Sequence, residues 1–240
     1  MKKKLTPRAL PALATLTAAA AICATHTARA DDTPPANSVR AGMYAIFYHV
    51  KADDVSGPYT PPGVNIDVKD TQTAYFAYVR RFTSYLDLEL AFGVPPKTDT
   101  VGRGPQKVGS VPYNNVTIST AKWAAPSALL EYKFFSESAL LRPYVGVGVN
   151  YTSFYNRQAT PAGEAVLGGP TRLSLTSSVG PVGTIGLKYQ PSSHWHVIAS
   201  WSITRVNSDL KADTAGEIHT THIQFRPQAL VVAVGYSFGR

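Results

Sequence analysis

Leu230-Val-Val-Ala-Val-Gly-Tyr-Ser-Phe238 alternates large apolar and smaller side chains. Leu230, Val232, Val234, Tyr236 and Phe238 share one face, and Val231, Ala233, Gly235 and Ser237 share the other. A period of two predicts a β-strand. The size difference between its faces predicts a broad side against an apolar medium and a narrow side against a confined interior. Hydrocarbon outside and a tight lumen inside meet both demands, so this stretch predicts one wall strand of a membrane β-barrel.

The opposite end agrees with that compartment. Lys2, Lys3, Lys4 and Arg8 precede an apolar, alanine-rich stretch from Leu10 to Ala24, and Ala28-Arg29-Ala30 fits the small-x-small rule for cleavage. Residues 1–30 are therefore expected to be an export signal and residues 31–240 the barrel. A lipoprotein reading would acylate Cys23, but Ile22 stands where a small residue is expected. Cys23 is the only cysteine, so the exported part is expected to hold no disulfide. The formal net charge of +8 is also largely a property of the leader. Five of the 23 basic residues precede Ala30 and all 15 acidic residues follow it, leaving +3 for the remainder. That excludes a nucleic-acid footprint as the meaning of the basic pI.

Between the ends, aromatic and β-branched residues repeat with period two, broken by Gly, Pro, Asn, Ser and Asp clusters. Eight strands are expected, at 39–49, 71–82, 85–93, 123–135, 142–156, 173–190, 195–211 and 222–238. No apolar run approaches the roughly 20 residues of a membrane helix. In lipid only closure of the sheet satisfies every backbone group, so the fold class is an all-β, eight-stranded, antiparallel up-and-down transmembrane barrel. Short links (83–84, 136–140, 192–194) alternate with long ones rich in Pro, Gly and Asp (52–70, 94–122, 157–172, 212–221). This is the asymmetry of tight periplasmic turns and long extracellular loops in a Gram-negative outer membrane.

The hairpins assign the faces. Leu86, Leu88, Leu90 and Phe92 form the apolar face of the third strand, so Asp87 and Glu89 point into the lumen. A charge facing lipid near mid-bilayer costs about 2–4 kcal/mol, which decides that orientation. With Thr83-Ser84 as a two-residue turn, Arg80 lies opposite Asp87, Tyr78 opposite Glu89 and Phe76 opposite Ala91, so Phe76, Tyr78 and Arg80 are expected inside. Ile185, Leu187 and Tyr189, and likewise Trp195, Val197, Ala199, Trp201 and Ile203, face out, leaving Thr184, Lys188, His196, Ser200 and Ser202 inside. With Glu131, Lys133, Tyr144 and Asn150, these give the candidate pore-lining set Phe76, Tyr78, Arg80, Asp87, Glu89, Glu131, Lys133, Tyr144, Asn150, Thr184, Lys188 and Ser200. The inward charges Arg80, Asp87, Glu89, Glu131, Lys133 and Lys188, with Arg226 as a further candidate, are expected to pair across the lumen, because an unpaired buried charge is costly. Pairing argues against a wide ion-conducting pore.

No constellation points to catalysis, metal or cofactor. Gly146 and Gly148 have no following helix to bind phosphate; inward glycines make room for large neighbours. His194 and His196 lack further ligands and read as periplasmic surface residues, and His219 and His222 as solvated loop residues. Ser200 and His196 share a face, but about 13 Å of strand separates them and no nucleophile motif surrounds either.

Leu141-Arg-Pro-Tyr-Val-Gly-Val-Gly-Val-Asn-Tyr-Thr152 resembles the most specific motif of the outer membrane protein W (OmpW) family, which includes the alkane-uptake protein AlkL. Val39-Arg-Ala-Gly42, Leu88-Glu-Leu-Ala91, Gly93-Val-Pro95, Gly183-x-x-Gly186-Leu-x-Tyr189 and the ending at Phe238 follow in family order. The resemblance implies passive uptake of small hydrophobic molecules through a narrow apolar lumen, with sideways release into the bilayer in some members. The alternative is a structural or surface-receptor barrel whose long loops bind a partner. The expected partners are outer-membrane lipids and lipopolysaccharide, a small hydrophobic substrate, and the barrel-assembly machinery during biogenesis. Pro181 and Pro227 each remove a ladder donor inside a strand, marking either a lateral window or a bulge near the rim. Three features depart from the family: Val179 replaces a frequent tryptophan, Arg226 replaces a frequent Asp, and Gly239-Arg240 follow the terminal aromatic.

Overall fold

In a computed structural model describing residues 35–239, eight strands run alternately up and down and close on themselves. They are β1 (Asn37–Phe47), β2 (Thr71–Arg81), β3 (Leu86–Gly93), β4 (Ser127–Lys133), β5 (Leu141–Ala159), β6 (Ser178–Tyr189), β7 (Trp195–Thr204) and β8 (Gln228–Phe238). Each pairs antiparallel with its sequence neighbour, and β1 closes the ring on β8 from Asn37↔Phe238 to Phe47↔Gln228. The export-signal reading lies outside the described residues.

Exposure follows the alternation. Val39 and Met43, Leu130 and Tyr132, Val145, Val147 and Val149, Ile185 and Leu187, and Leu230, Val232 and Val234 are exposed apolar residues on the outer wall. Their neighbours are buried inside. The outer wall thus presents to lipid the broad apolar face that the C-terminal strand announces.

One hairpin departs from the expected register. Arg81, not Arg80, lies opposite Asp87, and Arg80 lies opposite Leu88. The turn is longer than two residues: Phe82 and Thr83 both donate backbone N–H groups to the Leu86 carbonyl, and the Thr83 hydroxyl accepts from the amides of Tyr85 and Leu86 at 3.2 and 3.0 Å. A one-residue slip turns a whole strand over. Phe76, Tyr78 and Arg80 therefore stand on the outer face, with Phe76 and Tyr78 38% and 37% exposed, and Tyr75, Ala77 and Val79 point inward. Phe76 stacks on Phe92, and Tyr78 and Arg80 donate to Asn37 Oδ1 at 2.6 and 2.7 Å. The lipid penalty placed β3 correctly; Arg80 escapes it because it sits at the periplasmic edge.

The long links are themselves folded. Asn65–Val68, Lys97–Arg103 and Thr117–Ala124 form a sheet with the upper half of β5, and Lys51–Ala52, Thr171–Leu175, Val206–Thr214 and Glu217–Phe225 form a second. Ile66, Val206, Ile223 and Phe225 are buried between them, with Phe154, Leu175 and Leu210 against the same cluster. Strands expected at 123–135 and 222–238 are interrupted at Pro126 and Pro227, where the barrel passes into this superstructure. A helix absent from the expectation, α1 (Pro161–Leu167), lies in the third long link. Its signals are legible afterwards: Thr160 caps it by accepting from Gly163 N, Pro161 opens it, and Gly168 ends it at φ 84°.

Candidate functional site

Along β1, Ile46, Tyr44, Gly42, Arg40 and Ser38 face the lumen in that order from the outside toward the periplasm. They divide the interior into an upper chamber, an apolar waist and a charged floor. Tyr75, Ala77, Ile198, Val231 and Ala233 form the waist, and Tyr44 packs against them with its ring 5.9 Å from that of Tyr75.

Arg40 lies at the centre of the floor. It is 3% exposed and bonds to Glu89 on β3 and to both oxygens of Glu131 on β4, the latter at 3.3 and 3.2 Å. Toward the periplasm, Lys133 Nζ donates to Asp87 at 2.7 Å. Arg142 donates to the carbonyls of Ser84, Phe134 and Phe135, tying the floor to two periplasmic turns. The expected Arg80–Asp87 pair is thus replaced by Lys133–Asp87. Arg40 was missing from the candidate set, although it is the one charge in an otherwise apolar alternating strand, and the lipid penalty requires it to point inward.

The remaining candidates are also brought together in the lumen. Asp87, Glu89, Glu131, Lys133, Tyr144, Asn150, Thr184, Lys188 and Ser200 are all buried. Gly186 and Gly235 leave room for neighbours: a Cβ at Gly186 would strike the Tyr144 ring, and one at Gly235 the His196 imidazole. Gly146 similarly accommodates Thr184, whose hydroxyl accepts from Ser202 at 3.0 Å. Lys188, 8% exposed, has neither carboxylate nor hydrogen-bond partner among the described residues, and Arg142 stands directly opposite it. His196 is interior, as the alternation of its strand predicts and against its reading as a periplasmic surface residue; its Nδ1 lies 3.4 Å from Ser237 Oγ, away from Ser200 in bonding terms. His219 and His222 are strand residues rather than solvated loop residues. His219 is buried with Nε2 3.0 Å from the Pro58 carbonyl, and His222 Nδ1 lies 2.7 Å from Asp209.

The upper chamber is a cavity of about 80 Å³. Ile46, Ile66, Phe154, Val206, Ile223 and Phe225 make its walls chiefly apolar. A second pocket, between α1 and the loops carrying Val55, Val64 and Tyr113, shares Ile66, Ser119, Leu173 and Leu210 with the chamber walls. Asn150 stands in the wall at the break at Pro126. It borders the chamber on one side and, with Leu90, Phe92, Pro126, Val149 and Val179, a groove of the lipid face on the other. Its amide nitrogen donates to the carbonyls of Ala125 and Pro126 at 3.1 and 3.3 Å and to Ser127 Oγ at 2.9 Å, so one side chain holds the bend where Pro126 interrupts the strand. Pro181 and Pro227 lie near the same level, where Arg205 N donates to the Pro181 carbonyl and Thr204 N to that of Pro227.

Solved structures share this architecture. Outer membrane protein OprG of Pseudomonas aeruginosa matches with a TM-score of 0.76 over 86% of this chain and 98% of that one, at 17% identity. AlkL in lipid bilayers matches at 0.63 over 91% and 98%, also at 17% identity. In sequence, outer membrane protein W of Vibrio cholerae is 24% identical over 83% of this chain and 87% of the relative. That of Salmonella typhimurium is 29% identical over 50% and 56%, so that alignment spans about half of each protein. The pattern of the OmpW family matches residues 37–238. The chain therefore belongs to the OmpW family and is an outer-membrane β-barrel of Gram-negative bacteria.

Proposed function

We propose that the barrel is a passive conduit for small apolar molecules. The observation that carries this reading is the upper chamber, a chiefly apolar space that lies above a paired, buried ionic floor. Apolar walls draw a hydrophobic solute out of water by about 25 cal/mol per Å² removed from it. The floor offers that solute no favourable onward path, because passing it means separating Arg40 from Glu89 and Glu131. Exit is therefore sideways, past Asn150 into the groove of the lipid face, where hydrocarbon receives an apolar molecule without a desolvation barrier. Asn150 acts as the latch. Its three hydrogen bonds are the contacts that must yield. The partners of this reading are the small hydrophobic solute and the surrounding outer-membrane lipids. It uses no catalytic step, metal or cofactor.

The test is uptake of a radiolabelled short alkane by cells in which the outer membrane limits entry. Cells carrying the barrel should accumulate label faster than cells lacking it. Val206→Arg, which places a charge in the chamber wall, should abolish the difference while leaving a folded barrel by gel mobility. Equal uptake with and without the protein would overturn the proposal. If loop deletions instead abolish binding to a surface partner without altering uptake, the receptor reading gains; the folded extracellular superstructure, with Tyr59 94% exposed at a loop tip, is the feature that favours it.

A further inference from the structure

The apolar belt of the outer wall ends abruptly on β7, β8 and β1. On β7, Trp201 and Ile203 are followed on the outer face by Arg205; on β8, Leu230 is preceded by Arg226. On β1, Phe47 stacks on Trp201 at 6.0 Å, and Lys51 follows beyond it. All three cations are exposed, so Arg226 is not one of the inward charges expected from the sequence. Arg205 lies between Thr204 and Val206, and Arg226 between Phe225 and Pro227, and all four flanking residues line the chamber.

Arg205 and Arg226 also face one another. The rungs Ile203↔Gln228 and Val206↔Phe225 bracket them, and Thr204 N donates to the Pro227 carbonyl. Lys51 pairs in register with Gln224, whose Oε1 accepts from Arg226 at 3.3 Å. A second like-charge pair lies elsewhere on the rim, where Lys97 stands opposite Lys122 above the lipid-facing Phe92. None of these five cations has a carboxylate partner among the described residues. Like charges placed directly across a ladder destabilise it unless something anionic lies between them. The position, at the upper edge of the hydrocarbon belt, is that of the headgroups of the outer leaflet.

We infer that Arg205, Arg226 and Lys51 form a docking site for the phosphoryl groups of the outer-leaflet glycolipid, lipopolysaccharide, with its acyl chains lying on Trp201, Phe47 and Leu230. Two guanidinium forks side by side match the bidentate geometry of phosphate, and the stacked aromatic pair beneath supplies a flat apolar seat for the acyl chains. Lys97 and Lys122 provide a second contact of the same kind. This site is independent of transport and does not rest on the conduit reading.

The experiment is binding of lipid A to the full chain folded in detergent micelles, read by native mass spectrometry and by thermal shift. The probes are lipid A carrying both phosphates, the same lipid A without phosphates, and phosphatidylglycerol. Bisphosphorylated lipid A should bind tightest and raise the melting temperature. Arg205→Gln with Arg226→Gln should weaken it by about tenfold to thirtyfold, since each cation near an anionic lipid surface contributes about 1 kcal/mol. Arg172→Gln with Lys211→Gln, exposed cations farther up the second sheet, should leave binding unchanged. Heat-modified gel mobility verifies that each variant is folded. Equal binding of the dephosphorylated lipid, equal affinity for phosphatidylglycerol, or unchanged binding by the Arg205/Arg226 double variant would each overturn the assignment.

Discussion

Arg40→Met should be the most destabilising single substitution in the floor. Arg40 is enclosed by protein and makes three hydrogen bonds to two carboxylates, Glu89 and Glu131, which are themselves almost wholly buried. Methionine fills much of the same volume, so packing is largely retained and the electrostatic change dominates. Two buried carboxylates are left beside each other without a counter-charge, and breaking a buried pair from one side costs about 3–5 kcal/mol. With a urea slope of about 1–3 kcal/mol/M, the unfolding midpoint should fall by about 2 M, measured by the shift between folded and unfolded gel bands. The reasoning also fixes the rescue. Adding Glu89→Gln and Glu131→Gln to Arg40→Met removes the stranded charges and should recover most of the loss, although each Gln change alone in the wild-type background should destabilise. If Arg40→Met costs less than about 1 kcal/mol, or the triple variant is no more stable than the single one, the floor is not held by charge pairing and the argument fails.

Three further outcomes follow from the same interior. Gly186→Ala should cost about 1–3 kcal/mol by driving a methyl group into the Tyr144 ring, whereas Gly183→Ala, whose added carbon meets nothing, should leave the thermal melt unchanged. Lys188→Met removes a buried cation that has no partner among the described residues, so it should raise the unfolding free energy by an amount on the order of 1–2 kcal/mol, read as a higher urea midpoint; a lower midpoint would show that Lys188 is compensated. Phe76→Arg tests the register of β2 by folding into liposomes. On the lipid face the charge should cost about 2–4 kcal/mol, and an unaffected folding free energy would mean that Phe76 points into the lumen.

Most of the barrel was legible because the outer-membrane environment penalises error so heavily. Asp87 and Glu89 could face only inward, and that determined β3; Trp195 to Ile203 determined β7 in the same way. The reading failed where the penalty is weak. At Thr83 the choice between a turn of two residues and a longer one rested on a hydroxyl accepting two amides, which no hydrophobic pattern reports. That choice inverted Phe76, Tyr78 and Arg80. Arg80 gave no warning, because at the periplasmic edge a cation may face outward at little cost. The superstructure was hidden for a different reason. The expected strands run straight through Pro126 and Pro227, yet the ladder breaks at each and resumes beyond it in a different sheet, with Asn150 supplying hydrogen bonds at the first of these breaks. The pairing of Lys133 with Asp87, and the isolation of Lys188, depend on where side chains from different strands meet, and strand alternation alone does not encode that.

β5 spans 19 residues, about 60 Å of extended chain, which at a tilt of about 45° rises roughly 40 Å along the membrane normal, still more than the roughly 30 Å of the hydrocarbon layer. The wall thus continues as a chimney well above the bilayer surface, and its apolar lining begins there rather than at the lipid. On the conduit reading, a greasy molecule in the surrounding water would meet its first welcoming surface above the level of the lipid. On the conduit reading, the height of the chimney would matter as much as the chemistry of its bore.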